Sequence, residues 1–296
     1  MPRAALLLTA ALLALPAWAG SGKLLLTGGV SSIDGAAGGG LTPWALTGSY
    51  ATSGEAGATA FATRVQTRDY GLRILGAAVS MDDRVEFSIA RQDLDTGDNL
   101  EPLGLPGLHL KLDILAVKAR LWGDAVLDSD SLLPQLAIGL ERKRTHAGAL
   151  GLTLRGPLGA RDTGTDLYVS ATKLFLAPGV LANLTVRVTR ANQNGLLGFG
   201  GAEGRGRRAL PEVSLVKLLA KGLAVGVEFR AKPDNLDGSV LGTGALKEDN
   251  WRDLFVAWAP TKHVSLTAAW VDLGRIAPAV QPRRQSGGYL SIQFAL

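Results

Sequence analysis

Gly287-Gly288-Tyr289-Leu290-Ser291-Ile292-Gln293-Phe294-Ala295-Leu296 ends the chain with a two-residue period. Leu290, Ile292, Phe294 and Leu296 share one parity; Tyr289, Ser291, Gln293 and Ala295 share the other. Successive side chains of extended backbone point to opposite faces, so this stretch reads as an amphipathic strand. A strand of this kind at the carboxyl end is what a bacterial outer-membrane barrel uses to pair with its first strand and leave no edge bare. Its terminal residue is Leu296, where such barrels usually carry phenylalanine. The competing reading is the last strand of an exported β-sandwich.

The other end points to the same place. Arg3, the apolar run Ala4 to Leu15 and then Pro16-Ala17-Trp18-Ala19-Gly20 have the order of a secretory signal peptide, with cleavage expected after Ala19. Residues 1–19 are therefore read as the signal and 20–296 as a single barrel domain. That first run is too short for a spanning helix, which needs about 20 apolar residues. Later candidates, Leu112 to Val117 and Leu215 to Ala220, are broken by charged residues such as Asp113 and Lys217. A membrane location then requires a closed barrel, the other architecture that satisfies every backbone group in lipid. The absence of cysteine removes disulfides, Fe–S clusters and thiolate nucleophiles. The formal charge of +5 is scattered along the chain, which suits lipopolysaccharide phosphates nearby and gives no reason to expect a nucleic-acid partner.

Glycine and threonine crowd the stretch from Gly22 to Tyr50, with Gly38-Gly39-Gly40 at its centre. Consecutive glycines mark backbone that turns sharply or packs closely. Residues 22–41 are either a first strand with its hairpin or a plug folded into the lumen. The string GKLLLTGGVSSIDGAAGGGLTPWALTGSY resembles the opening of the proteobacterial family catalogued as domain of unknown function 3034. TRVQTRDYGLRILGAAVSMDDRVEFSIARQDLDTGD and VKARLWGDAVLDSDSLLPQLAIGLERK resemble its middle. The resemblance implies an exported, barrel-like protein and brings no activity, substrate or catalytic residue with it.

After Tyr50, period-two segments separated by turn residues predict strands near 56–68, 70–82, 83–94, 108–122, 132–145, 164–176, 180–193, 209–221, 222–232, 250–260, 262–273 and 284–296. Links alternate short, as at Ala177-Pro178-Gly179, and long, as at 194–208, the pattern of an up-and-down outer-membrane barrel with its short turns periplasmic. A strand at 42–52 would need a predecessor within 23–33, giving fourteen; if that block is a plug, twelve remain. Parity counting favours fourteen. In 108–122, His109, Lys111 and Asp113 share one parity while Lys118 and Arg120 share the other, so a bulge is expected between Asp113 and Lys118.

Projected inward, the charges are Arg64, Arg73, Glu86, Lys111, Asp113, Lys118, Arg120, Glu141, Lys143, Arg187, Glu228 and Arg230. The lumen candidates among them are Arg64, Arg73, Glu86, Lys118, Arg120, Glu141, Arg187, Glu228 and Arg230. They read either as ion pairs cross-linking a hydrated lumen or as a constriction that sorts small polar solutes. An enzyme would need a nucleophile and a base. His109, near the outer rim, is the base that could meet a serine, yet no G-x-S-x-G motif is present. Phosphate-loop and dinucleotide motifs are incomplete, and three scattered histidines disfavour zinc, so neither cofactor nor metal is expected. Trp44, Tyr70, Trp122, Trp251, Trp258, Trp270 and Tyr289 are read as interfacial aromatics, with core packing as the other reading. The expectation is an outer-membrane pore for small polar solutes or a structural envelope protein, with an outer-membrane enzyme acting on lipid or lipopolysaccharide as the alternative. Expected partners are membrane lipid, lipopolysaccharide, small polar solutes and, through the final strand, the barrel-assembly machinery.

Overall fold

The computed structural model describes residues 23, 25–26, 28–126, 131–202 and 206–296. The signal-peptide expectation over 1–19 lies outside them. Two short strands, β1 (Val30–Ser31) and β2 (Ala37–Gly38), form a small hairpin. Then come β3 (Ala56–Thr67), β4 (Gly71–Met81), β5 (Val85–Asp95), β6 (His109–Trp122), β7 (Gln135–His146) and β8 (Thr163–Phe175). β9 (Val180–Thr189), β10 (Arg208–Ala220), β11 (Leu223–Arg230), β12 (Trp251–Trp258), β13 (Val264–Asp272) and β14 (Ser286–Ala295) follow.

Strands β3 to β14 make one closed antiparallel barrel in sequence order. Closure falls where the final strand demanded it: Leu290 lies opposite Arg64 and Phe294 opposite Ala60. The amide of Leu296 donates to Ala58 O at 2.8 Å and that of Ala58 to Leu296 O at 3.1 Å. The wall therefore has twelve strands, not fourteen. Of the two extra segments, residues 30–33 and 42–49 lie inside it. Every residue from Val30 to Ser49 is buried on both parities, so this segment has no lipid face to offer. The triple glycine is the local reason. A Cβ at Gly38 would collide with the Thr42 carbonyl, and one at Gly39 with the Glu228 carboxylate and the Trp44 ring.

Connections 96–108, 147–162, 190–207, 231–250 and 273–285 share one end, joined there by the tight 68–70 turn. The opposite end holds turns 82–84, 176–179, 221–222 and 259–263, the longer 123–134 link and the described chain end at Leu296. Outward residues on the turn half are large and apolar: Phe87, Leu115, Leu140, Leu184, Leu215, Val227, Leu254 and Phe294 are all exposed. Trp122 and Trp258 project outward among them and Trp270 projects outward nearer the loop end, whereas Trp44, Tyr70, Trp251 and Tyr289 are buried inside.

On β3 to β6 the polarity inverts along the strand. Toward the loop end Phe61, Val65, Ile74, Leu94, Leu110, Leu112 and Ile114 point inward, while Arg64, Arg73, Arg91 and Lys111 point outward. That inversion accounts for β6. Its pairing runs unbroken from Asp113 to Lys118 on both neighbours, and the register shift falls between Arg120 and Trp122 instead. His109, Lys111 and Asp113 face outward beyond the apolar band and Lys118 and Arg120 face inward, so one regular strand serves both sets without the expected bulge.

Candidate functional site

The lumen is stacked in layers. At the turn end, Lys118 Nζ lies 3.0 Å from Glu86 Oε1, both fully buried. The pair grips the plug by its backbone: Lys118 Nζ donates to Ala37 O at 3.1 Å, Ala37 N to Glu86 Oε1 at 3.1 Å and Gly48 N to Glu86 Oε2 at 2.5 Å. On the facing wall, Glu228 accepts from Leu41 N at 2.7 Å and Thr42 Oγ1 at 2.6 Å. Trp44 Nε1 donates to Ser214 Oγ at 2.9 Å, and Ala45 N to Thr172 Oγ1 at 2.8 Å. The plug has little internal sheet, so inward polar side chains from the wall satisfy its backbone groups.

Asp34, on the turn of the β1–β2 hairpin, sits at the centre. Its carboxylate lies 2.9 Å from Arg230 Nη1, 3.3 Å from Lys143 Nζ and 3.4 Å from Arg187 Nη2, and accepts from Asn194 Nδ2 at 2.9 Å. These three cations come from β11, β7 and β9, each brought inward by the two-residue period. Around them, Glu141 lies 2.6 Å from Arg187 and 3.1 Å from Lys143, and Asp166 lies 3.0 Å from Lys143. Glu212 lies 2.6 Å from Arg187 and 3.2 Å from Arg230. The Arg187 guanidinium also stacks 5.2 Å over the Tyr168 ring. Burial opposes ionisation of Asp34, but Arg230, Lys143 and Arg187 outweigh it and hold the carboxyl well below the usual carboxylate range.

Above this charged layer, toward the loop end, the lumen becomes apolar. A chamber of about 120 Å³ is lined by Tyr70, Leu94, Leu110, Leu154, Leu196 and Ile276, among others, under the loops of that end. The 190–198 loop dips into the barrel as its floor. Gln193 Nε2 donates to Leu246 O and Ile276 O, both at 2.8 Å, tying three loops together. Gln193 and Asn194 hold positive φ to make that descent, a conformation Asn tolerates better than most residues.

Of the predicted lumen residues, Glu86, Lys118, Glu141, Arg187, Glu228 and Arg230 are brought together around the plug. Arg120 lines the turn-end mouth, where it pairs with Asp83 and lies 3.1 Å from Asp124. Arg64 and Arg73 are corrected: both are exposed on the outer wall, opposite each other in register. Lys111 and Asp113 join them outside. His109 also faces outward, where Nδ1 lies 2.6 Å from Asp93 rather than beside a serine at the lumen rim. Sequence reasoning missed Asp34, Asp166, Asn194 and Glu212. The isolated carboxylate in a glycine-rich block was the available signal for Asp34. The parity shared with Tyr168 and Ser170, and with Ser214, was the signal for Asp166 and Glu212.

Comparison with solved structures gives barrels. The NanC porin superposes with a TM-score of 0.50 at 7% identity, covering 82% of this chain and 100% of that one. An outer-membrane channel from Pseudomonas putida F1 gives 0.48 at 12% identity, over 83% and 96%. Outer membrane phospholipase A from Escherichia coli gives 0.42 at 8% identity, over 84% and 94%. The first of these shares the porin fold with this chain; identities this low say nothing of activity. None of the curated proteins matches the sequence. The family described as Protein of unknown function (DUF3034) matches residues 27–293, which together with the barrel and its glycine-rich plug makes this chain a member of that family.

Proposed function

We propose that the protein is an outer-membrane channel in its closed form, gated by the 28–50 plug, and that small apolar solutes enter it from the loop end. The observation that carries this reading is the plug itself: a segment outside the wall, seated across the lumen through Asp34 and backbone contacts. The outward apolar band supports the membrane location, since a soluble monomer rarely leaves so continuous an apolar surface uncovered. Polar solutes were the expectation from an ionic lumen. The ionic layer, however, lies beneath an apolar chamber, so the first surface an entering molecule meets under the loops is hydrocarbon. A cavity near 150 Å³ lined by aliphatic and aromatic side chains takes up a benzene-sized molecule. The chamber here, at about 120 Å³, belongs to that class.

Conductance of the purified barrel in a planar bilayer tests the gate. Asp34 is the carboxylate through which the plug meets this cluster, and a hydrogen bond to a charged group contributes about 1.5–3 kcal/mol. Asp34→Ala is therefore expected to raise the open fraction by roughly one to two orders of magnitude over a nearly silent wild type. Deleting 28–50 is expected to open the barrel fully. If that deletion variant, folded by its shift in gel migration on boiling, conducts no more than wild type, the channel reading is wrong.

A further inference from the structure

The outer wall carries a second feature that the gate does not use. A groove of about 500 Å³ runs along β4 to β7, lined by Ala77, Phe87, Ile89, Leu115, Val117 and Leu140, with Arg142 at its edge. Ala77 supplies the depth: a single methyl lies between the larger outward side chains Leu75 and Val79 on its own strand and opposite Ile89 on the next. Side chains of adjacent strands in register stand together on one face, so the pairings give the rows directly. Val79, Phe87, Val117 and Leu140 form one row; Ala77, Ile89, Leu115 and Arg142 the next. Leu75, Arg91, Asp113 and Arg144 follow, then Arg73, Asp93, Lys111 and His146 toward the loop end. Hydrocarbon gives way to guanidinium within two rows.

The acidic members of this surface are already engaged. Asp113 takes two bonds from Arg91, at 2.5 and 2.8 Å, and lies 2.9 Å from His146 Nε2. Asp93 faces His109 at 2.6 Å and Lys111 at 3.8 Å, and Asp95 stands opposite His109 in register. Arg142 donates to Thr165 Oγ1 at 3.2 Å, and neither Arg142, Arg144 nor Arg73 has a carboxylate in ion-pair reach among the described residues. Guanidinium groups that project outward just beyond an apolar band, with no anion of their own, match a phosphate in the headgroup layer.

The geometry points to a bound lipid A headgroup at Arg142 and Arg144, with one acyl chain lying in the β4–β7 groove. The inference rests on the outer-membrane reading, with the loop end outermost. Burial against the wall cannot by itself select a lipid, because the surrounding chains are equally apolar. Selection falls to the arginine–phosphate pairs, and the groove fixes where the chain below them runs. Lipid A fits better than a glycerophospholipid because it carries two phosphates: one can meet Arg142 and Arg144 while the other reaches the row of Arg73 and Lys111.

The test is native mass spectrometry of the full-length mature protein extracted from outer membranes in mild detergent, counting lipopolysaccharide retained per barrel. Wild type is expected to retain it. Arg142→Glu with Arg144→Glu is expected to lower retention about tenfold or more, since each basic residue near a membrane surface favours an anionic lipid about fivefold and reversal adds repulsion. Ala77→Trp fills the groove without touching a charge and is expected to lower retention as well. Arg208→Glu, on the far side of the barrel at the start of β10, is expected to leave it unchanged. Unchanged retention in the double variant, equal loss in the Arg208 variant, or retention of glycerophospholipid in place of lipopolysaccharide would each overturn the assignment. A protein extracted without any detergent would instead overturn the outer-membrane reading beneath it.

Discussion

Lys232 lies just past the end of β11, fully enclosed by the loop it begins. Its Nζ is 3.2 Å from the centroid of the Trp251 ring and 3.5 Å from Glu248 Oε2. Burial pushes its ammonium down to about 7, against the pull of Glu248. An unfolded lysine titrates near 10.4, so between about pH 7 and 10 the opened loop binds more protons than the closed one. Closure of 231–250 is therefore expected to strengthen as pH rises through that window, while below it the cost of the buried charge is fully present. Hydrogen exchange of 233–249, corrected for intrinsic rates, should slow relative to the barrel strands from pH 7 to pH 10, and Lys232→Met with Glu248→Gln should flatten the slope. At this same scale the sequence was readable wherever the barrel keeps polar side chains inside: Glu86, Lys118, Glu141, Arg187, Glu228 and Arg230 all fell on the correct face. Arg64 and Arg73 did not, because the rule that sets them inside fails on the loop half. There Phe61, Val65 and Ile74 pack inward around the chamber, and a charge on the opposite parity faces out.

Among the elements, the plug is the one held by covalent simplicity. Gly38 lies where any Cβ would strike the Thr42 carbonyl, which is backbone and cannot swing aside. Gly38→Ala should therefore destabilise plug docking by about 1–3 kcal/mol, the usual range for overpacking. Limited proteolysis within 28–50 should accelerate while the shift in gel migration on boiling stays as in wild type; loss of that shift would mean that the glycine serves the wall instead. The glycine block announced an unusual backbone but not its location. A plug in the lumen was one of its two readings; parity counting favours the pair of strands instead, because burial on both parities is invisible without the wall around it. β6 shows the same limit from the other side. Its two charge sets, one on each parity, record a change of surroundings along a straight strand, and sequence pattern alone cannot distinguish that from a change of register.

For the whole molecule, closure and the division into a turn end and a loop end were legible because they follow from the final strand and from the unequal connections. A charge set into the apolar band tests the environment that the fold implies. Leu215 is exposed midway along β10, and Leu215→Arg should cost about 2–4 kcal/mol of folding stability in a bilayer. Measured by urea unfolding in liposomes, a neutral outcome would place β10 outside the hydrocarbon. One consequence of the central cluster reaches further. Without Asp34, the wall still sets Lys143, Arg187 and Arg230 against Glu141, Asp166 and Glu212, as many anions as cations. An empty barrel is thus self-neutral at its core, and the plug behaves as a ligand carried by its own receptor on the few residues between Tyr50 and Ala56. Such a tether supplies an effective concentration on the order of millimolar. Cut there, the segment should become a dissociable peptide, so that a synthetic 28–50 fragment added in trans re-closes a plug-deleted barrel in a saturable way.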